Sequence, residues 1–483
     1  MTETALLHHT RKLADAMRNP AMVLLTGSGL VVALVVAVAI MIVMVARLKV
    51  HAFIALMLTA LALALLSLPL ETIAPTIRAG FAGTLQHIGL IIVFGALIGL
   101  IVGQTGAALS IADVVVRWVG RKRPELAMWL MGWIVSIPVF CDSGFIILDP
   151  IRKALAQVTR RSPVSLAIAL SLGLYVSHVF MPPTPGPIAA AASVGLAEQL
   201  LLVMGMGAMV SLFVLVPCYV FARRLGAHIE VDAALAPEEA AAVTSQAYEQ
   251  LKQQYGKLPN TGLAFLPIVA PIGLLACGTV AKVLDWPALA LWQFFGDPII
   301  ALAVGVLCAA VLLQQTQGLS GFSTLTQDTL KLTGPILLIT AAGGVLGRVI
   351  SQAGVVEHIS QSSQALHAMG ILLPFLIAAA LKISQGSSTV AIVTTAALMG
   401  AYTDPNSLMT TLGFTTPAAA ALVVMAIGAG SMTVSHANDS YFWVVTQLIG
   451  LSPEQGYRTQ TLGSLVAGLS AMLGIGLLSL WLL

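Results

Sequence analysis

Three runs in this chain, Ala21 to Ala46, Leu263 to Ala281 and Leu462 to Leu483, contain no charged residue. Each approaches or exceeds the roughly 20 residues that a helix needs to cross a bilayer. In hydrocarbon every backbone N–H and C=O must be paired within the protein, so such runs commit the chain to spanning helices. The composition agrees: 58% of the 483 residues are hydrophobic and 9% are charged, whereas a soluble domain carries about 25% charged residues. The first run is too long for a signal-peptide core and has no small-residue cleavage site, so it is read as a retained helix. A net charge of +3 gives no argument for a nucleic-acid partner. Cys141, Cys218, Cys277 and Cys308 all lie in apolar segments without metal-ligand spacing and read as small core residues. No cofactor or metal is expected. The chain is read as an all-α, polytopic protein of the bacterial inner membrane.

The chain is also written twice. Gly95-Ala-Leu-Ile-Gly99 followed by Gln104-Thr-Gly106 matches Gly343-Gly-Val-Leu-Gly347 followed by Gln352-Ala-Gly354, each matched pair being 248 positions apart. Val176-Ser177-His178 matches Val434-Ser435-His436 at 258, which places an insertion in the second copy. Between the copies lies the one long polar stretch, Gly226 to Asn260. The expected organisation is an N-terminal tail over 1–20, a first repeat over 21–225, a cytoplasmic linker with a short surface helix over 226–260, and a second repeat over 261–483.

Lys and Arg are enriched in cytoplasmic loops. Arg117, Arg121, Lys122 and Arg123 precede the apolar segment Leu126 to Leu148, and Arg152, Lys153, Arg160 and Arg161 follow it. Two basic flanks on one side imply a re-entrant hairpin, with its turn expected at Cys141-Asp142-Ser143-Gly144. Each repeat then has about five crossings, one hairpin and one broken helix, and an odd number of crossings inverts the second copy. This arrangement puts Arg47, Lys49, Arg223, Arg224, Lys252, Lys257, Lys331 and Arg458 inside with the hairpin flanks. Arg11, Lys12, Arg18, Arg78 and Lys282 fall outside.

Four breaks interrupt the apolar segments: Asp142–Gly144, Ser177–Pro187, Ser384–Thr389 and Ser435–Ser440. Non-helical backbone at membrane depth is tolerated only where it is buried in protein or lines a cavity. In transporters with inverted repeats such breaks mark the substrate and ion site. Pro182-Pro183-Thr184-Pro185-Gly186-Pro187 removes four backbone donors and cannot be regular helix. Half-helix N-termini suit an anion, and the expected binding residues are Ser143, Gly144, Thr184, Gly386, Ser387, Ser388, Thr389 and Asn438. Ionisable groups inside a membrane are functional candidates by default. Asp142, His178, His436 and Asp439 are therefore the expected proton carriers, with Asp142 placed nearest the substrate. Arg348 and Lys382 are expected to pair with these carboxylates or to snorkel to an interface. Asp149, at the hairpin's basic exit, is expected to be paired locally.

These motifs resemble those of the gluconate:proton symporter (gluconate permease) family. The similar stretches are Asp142 to Phe145, His178 with the Pro-Pro-Thr-Pro-Gly-Pro run, Gln385 to Val390, and Gly428 to Asp439 followed by Phe442-Trp443. Gly296-Asp297-Pro298 matches too, and the likeness runs from about Gly80 to the C-terminus. The resemblance implies proton-coupled uptake of a sugar acid and kinship with a wider ion-transporter superfamily. That superfamily's scaffold and mobile transport domains imply an elevator motion and a homodimer. Two positions depart from the family pattern: Thr184 stands where His is expected, and Cys141 where Phe is expected. Both lie at the expected site, so glycerate, threonate or D-serine are as plausible as gluconate.

The alternatives are a sodium-coupled carboxylate carrier, since broken-helix carbonyls and Asn or Ser oxygens can hold Na⁺, a membrane-embedded enzyme using His436 and Asp439, and a channel. The chain has no His-Glu-x-x-His, no Gly-x-Ser-x-Gly and no acidic metal cluster, which disfavours the enzyme. Inverted repeats with two hairpins suit alternating access better than a pore.

Overall fold

A computed structural model of the chain describes residues 28–119, 122–225, 258–284, 286–353, 369–437 and 439–482, with Leu25 and Ile229. The tail over 1–20, most of the linker and Asn438 lie outside the described residues. The described chain is helical throughout, without a strand. Among the described residues, seven helical segments are long and apolar enough to cross a membrane, and the broken helix of the first half of the chain is one of them.

The first half of the chain contains α1 (Ser28–Ala46), α2 (Ala52–Ser67), α3 (Leu70–Gln104), α4 (Ala107–Val119), α5 (Pro124–Val135), α6 (Cys141–Thr159), α7 (Pro163–Phe180), α8 (Pro185–Ser193) and α9 (Leu200–Leu225). The second contains α10 (Thr261–Leu284), α11 (Leu289–Gly296), α12 (Pro298–Thr316), α13 (Phe322–Gln352), α14 (Leu372–Gln385), α15 (Ser388–Met399), α16 (Pro417–Met432), α17 (Ser440–Ile449) and α18 (Leu462–Leu482). In each half a long helix, α3 or α13, is followed by a helical hairpin, α5–α6 or α14–α15. A broken helix, α7–α8 or α16–α17, comes next.

The packing crosses between the halves in a matched way. The hairpin helix α6 packs on α17, the broken end of the other half, and α15 packs in the same manner on α8. Likewise α2 packs on α13, and α12 on α3. The long helices α3 and α13 run antiparallel. At one end Thr76 donates to Gln352 Oε1 at 2.5 Å, and at the other Gln317 Nε2 donates to the carbonyl of Gln104 at 2.8 Å.

The core lies around α7 and α16. Every residue of α7 from Val164 to Phe180 is buried, as is α16 from Ala419 to Met432. A helix apolar on all sides belongs in the protein interior. α5 lies so close to α7 that a Cβ on Gly173 would fall 2.1 Å from the carbonyl oxygen of Trp129. The outward faces of α1, α9 and α18 remain apolar, with Leu212, Val216, Leu473 and Leu480 exposed, as a lipid-facing surface should be.

The hairpin turn falls earlier than the sequence suggested. α5 ends at Val135, the chain reverses over Ser136 to Phe140, and Cys141 already begins α6. Pro138 lies within the reversal, where its missing N–H is harmless. Asp142, Ser143 and Gly144 are thus the first turn of a helix instead of a loop, which points the free N–H groups of that turn at whatever faces them.

Candidate functional site

Three half-helices start around one cavity. α6 starts at Cys141, and its first turn is closed by Gly144 N–H to the carbonyl of Phe140 at 2.8 Å. α15 starts after its N-cap Ser387, whose hydroxyl accepts from Val390 N–H at 3.3 Å. α17 starts after its N-cap Asp439, whose Oδ1 accepts from Tyr441 N–H at 3.1 Å. Between them lies a cavity of about 270 Å³ lined by Phe140, Cys141, Asp142, Tyr175, His178, Gly386, Ser387, Ser388, Thr389, Asp439, Ser440 and Tyr441. Gly386 ends α14 in the left-handed conformation (φ 87°), which a residue with a Cβ would resist.

The carboxylate of Asp439 is the most heavily bonded group here. Its Oδ2 receives Lys382 Nζ at 2.6 Å, the Ser435 hydroxyl at 2.5 Å and the Tyr175 hydroxyl at 3.4 Å. Lys382 is 0% exposed. It also donates to the carbonyl of Gly386 and lies over the Tyr175 ring, 5.6 Å from its centroid. Tyr175 is bonded in turn to Ser388, hydroxyl to hydroxyl at 2.7 Å. Tyr441 donates to the carbonyl of Ser171 at 2.9 Å. A buried ion pair is tolerable when its partners are further hydrogen-bonded, and here Asp439 also accepts from Ser435, Tyr175 and Tyr441 while Lys382 also donates to Gly386.

Asp142 contrasts with this. Its Oδ1 is buried and receives no hydrogen bond from the described residues, and neither does Nδ1 of His178. The His178 ring sits 5.8 Å from that of Phe140 and is 7% exposed. The cavity therefore holds one compensated carboxylate and one that is not compensated, facing three helix N-termini.

The structure brings together Asp142, His178, Gly386, Ser387, Ser388, Thr389 and Asp439 as cavity-lining residues. It places the other described candidates elsewhere. Ser143 is one residue further round the helix from Asp142 and lines a separate cavity of about 440 Å³ with Gln104, Phe140 and Gln317. Gly144 faces α7, where a Cβ would meet Leu174 at 2.6 Å. Thr184 is buried away from the cavity, its hydroxyl donating to the carbonyls of Met181 at 2.5 Å and His178 at 3.0 Å. It ties the break together. His436 turns outward to the carbonyl of Ile383, 3.1 Å from Nε2. Arg348 is exposed on α13, in a cavity of about 390 Å³ shared with Asp404 and Gln352. Asp149 is paired locally, with Arg152 at 2.6 Å and Lys153 at 2.9 Å. Sequence reasoning missed Tyr175, Ser435 and Tyr441. Tyr175 had a legible signal, standing three residues before His178 on the same helix face.

Paired broken helices that gather polar residues around a cavity inside a polytopic bundle suit a membrane transport protein. The family model described as GntP family permease matches residues 29–481. An uncharacterized permease of Haemophilus influenzae is 33% identical over 442 residues, covering 87% of this chain and 86% of that protein. The inner membrane permease YgbN of Escherichia coli is 32% identical over 436 residues (88% and 93%). A gluconate permease of Pseudomonas aeruginosa is 30% identical over 438 residues (89% and 93%). The fold is also similar to the crystal structure of the Alcanivorax borkumensis YdaH transporter, at a TM-score of 0.59, 16% identity, and coverage of 89% of this chain and 97% of that one. The chain belongs to the GntP permease family. It is a multi-pass transporter of the bacterial inner membrane and not an enzyme.

Proposed function

We propose that this chain is a secondary active carrier that imports a small hydroxy carboxylate, gluconate or a shorter sugar acid, by proton symport and alternating access. The observation that carries the reading is the cavity between the N-termini of α6, α15 and α17. Helix N-termini favour negative charge through free N–H groups and the aligned peptide dipoles. Ser387, Ser388 and Thr389 offer hydroxyls to a carboxylate or a sugar hydroxyl. A monoanion placed there meets the carboxyl of Asp142, and like charges this close are costly. A proton on Asp142 removes the cost, so anion and proton enter together. Asp439 does not need a mobile proton, since Lys382 already neutralises it.

Alternating access is supported by an asymmetry between matched parts. Gly99 on α3 and Gly347 on α13 are 248 positions apart. A Cβ on Gly99 would fall 1.8 Å from the carbonyl oxygen of Pro138, in the turn of the first hairpin. A Cβ on Gly347 would meet the carbonyl oxygen of Ala397 at 2.8 Å, well along the second hairpin. The residue matched to Pro138 is Gly386, eleven residues before Ala397, or about 16 Å of helix at 1.5 Å per residue. The matched hairpins thus stand at different heights against the matched long helices. Exchanging those heights moves the cavity relative to α3 and α13, which is the elevator motion. A homodimer that anchors the α3–α13 scaffold belongs to the same reading.

Purified protein should be stabilised by gluconate, glycerate, threonate or D-serine in a thermal-shift series, because a ligand that binds only the folded state raises its stability. Reconstituted protein should exchange labelled substrate across the membrane with saturation. A failure of every acid in both assays sinks the proposal, and non-saturating flux would point to a channel.

A further inference from the structure

We propose that the Lys382 ammonium is a built-in cation, which holds the position at the second hairpin from which a free cation such as Na⁺ would otherwise act, and that Lys382 is thereby a positioning residue for the anion site. This rests on the reading of the cavity as that site. The ammonium sits at the C-terminal end of α14, where unpaired carbonyls and the negative end of the helix dipole gather. It donates to the carbonyl of Gly386, the residue that turns the chain from α14 into the α15 N-terminus. It also contacts Asp439 Oδ2 at 2.6 Å, the N-cap of α17. One positive point therefore ties together two of the three helix starts that border the cavity. Its ligands are a backbone carbonyl and a carboxylate, which are oxygen donors of the kind that suit a hard cation. The Tyr175 ring face closes the remaining side. The first hairpin has nothing comparable, since Ile134 stands 248 positions before Lys382. With the cation supplied by the chain, Na⁺ has no role at this position, and Asp142 is left as the uncompensated acid.

The experiment has two arms. In reconstituted vesicles, wild-type uptake of gluconate or glycerate should be unchanged when Na⁺ is replaced by choline. A requirement for Na⁺ overturns the proposal. In detergent, Lys382→Ala removes Cγ to Nζ and so leaves room for a small cation or for n-propylammonium, which is the excised fragment. The variant should melt lower than wild type in choline chloride. It should recover saturably with NaCl and with n-propylammonium chloride, while wild type responds to neither. Adding Asp439→Ala should abolish the recovery. Recovery with n-propanol, with n-propylammonium alone, or with nothing overturns the proposal. If Lys382→Ala yields no folded protein, the wild-type arm decides alone. If instead no hydroxy acid shifts wild-type melting or supports uptake, the anion reading falls, and the cation response of the variant still decides the role of Lys382.

Discussion

Asp142→Asn is the sharpest perturbation of the proposed coupling. The cavity holds two acids, and Lys382 compensates Asp439, so one mobile proton should accompany each monoanion. The transported cargo, one proton with one monoanion, is then electrically neutral. Each pH unit of gradient supplies about 1.4 kcal/mol per proton, which is a factor of about 10 in the substrate ratio across the membrane. A membrane potential would supply about 2.3 kcal/mol per charge per 100 mV, yet it should add nothing when the net transported charge is zero. The assay is accumulation of labelled gluconate or glycerate in proteoliposomes, with gradient and potential imposed separately. Wild type should accumulate about tenfold per pH unit and ignore the potential. Asn keeps the shape of a protonated Asp and cannot release a proton. The variant should therefore still exchange internal for external substrate but no longer concentrate it. Accumulation by Asp142→Asn that matches wild type would refute the assignment. Accumulation of about a hundredfold per pH unit in wild type, with sensitivity to potential, would mean that a second proton moves, and His178 would be its first candidate carrier.

Three further outcomes follow from the geometry. Ser388→Ala removes a cavity hydroxyl that also bonds Tyr175 at 2.7 Å. Losing one such bond costs about 0.5–1.5 kcal/mol, so the half-saturation concentration should rise about 2- to 13-fold. An unchanged value would remove Ser388 from the binding site. Thr184→Ala should lower thermal stability by about 0.5–1.5 kcal/mol through the loss of its one donated hydrogen bond, shared between two carbonyls, and leave the order of substrate preference intact, since the side chain faces the break and not the cavity. A switch of preferred acid would contradict that. Arg123 and Arg160 flank the hairpin and are exposed. Cysteines at these two positions should both react with an impermeant maleimide from the cytoplasmic face alone, and labelling from opposite faces would show that the segment crosses the membrane.

The architecture was legible because hydrocarbon leaves the backbone so few options. Long apolar runs had to be helices, and four interruptions had to lie where protein could satisfy them. The breaks led to most of the cavity because prolines and polar clusters cannot hide at membrane depth. The sequence could not fix which way each residue faces. Asp142, Ser143 and Gly144 are consecutive, but a helix turns 100° per residue, so the three point to the cavity, to a second cavity and to α7. Reading them as one loop tip hid that divergence. Thr184 and His436 misled for a related reason. Both stand inside functional-looking motifs, but one ties a proline-rich turn and the other satisfies a carbonyl of α14.

Pairing was legible only in outline, Lys382 being expected to pair with a membrane carboxylate without the sequence saying which, and it changes the chemistry more than orientation does. Asp439 and Lys382 are 57 positions apart, and each alone reads as an expensive membrane charge that calls for a transported partner. Brought together with Ser435 and Tyr175, they become a satisfied structural element, because the pair supplies what each would otherwise take from solvent or substrate. The list of candidate proton carriers in the proposed mechanism shrinks accordingly. Asp439 is held by four donors, Lys382, Ser435, Tyr175 and the N–H of Tyr441, so protonating it would break charge-assisted bonds without relieving an arriving anion. Asp142 has an oxygen that the described residues leave unbonded, so gaining a proton there costs no existing bond from them and, in the proposed reading, cancels a repulsion. The proposed coupling therefore rests less on which acids enter the membrane than on which one the described residues leave with an unbonded oxygen.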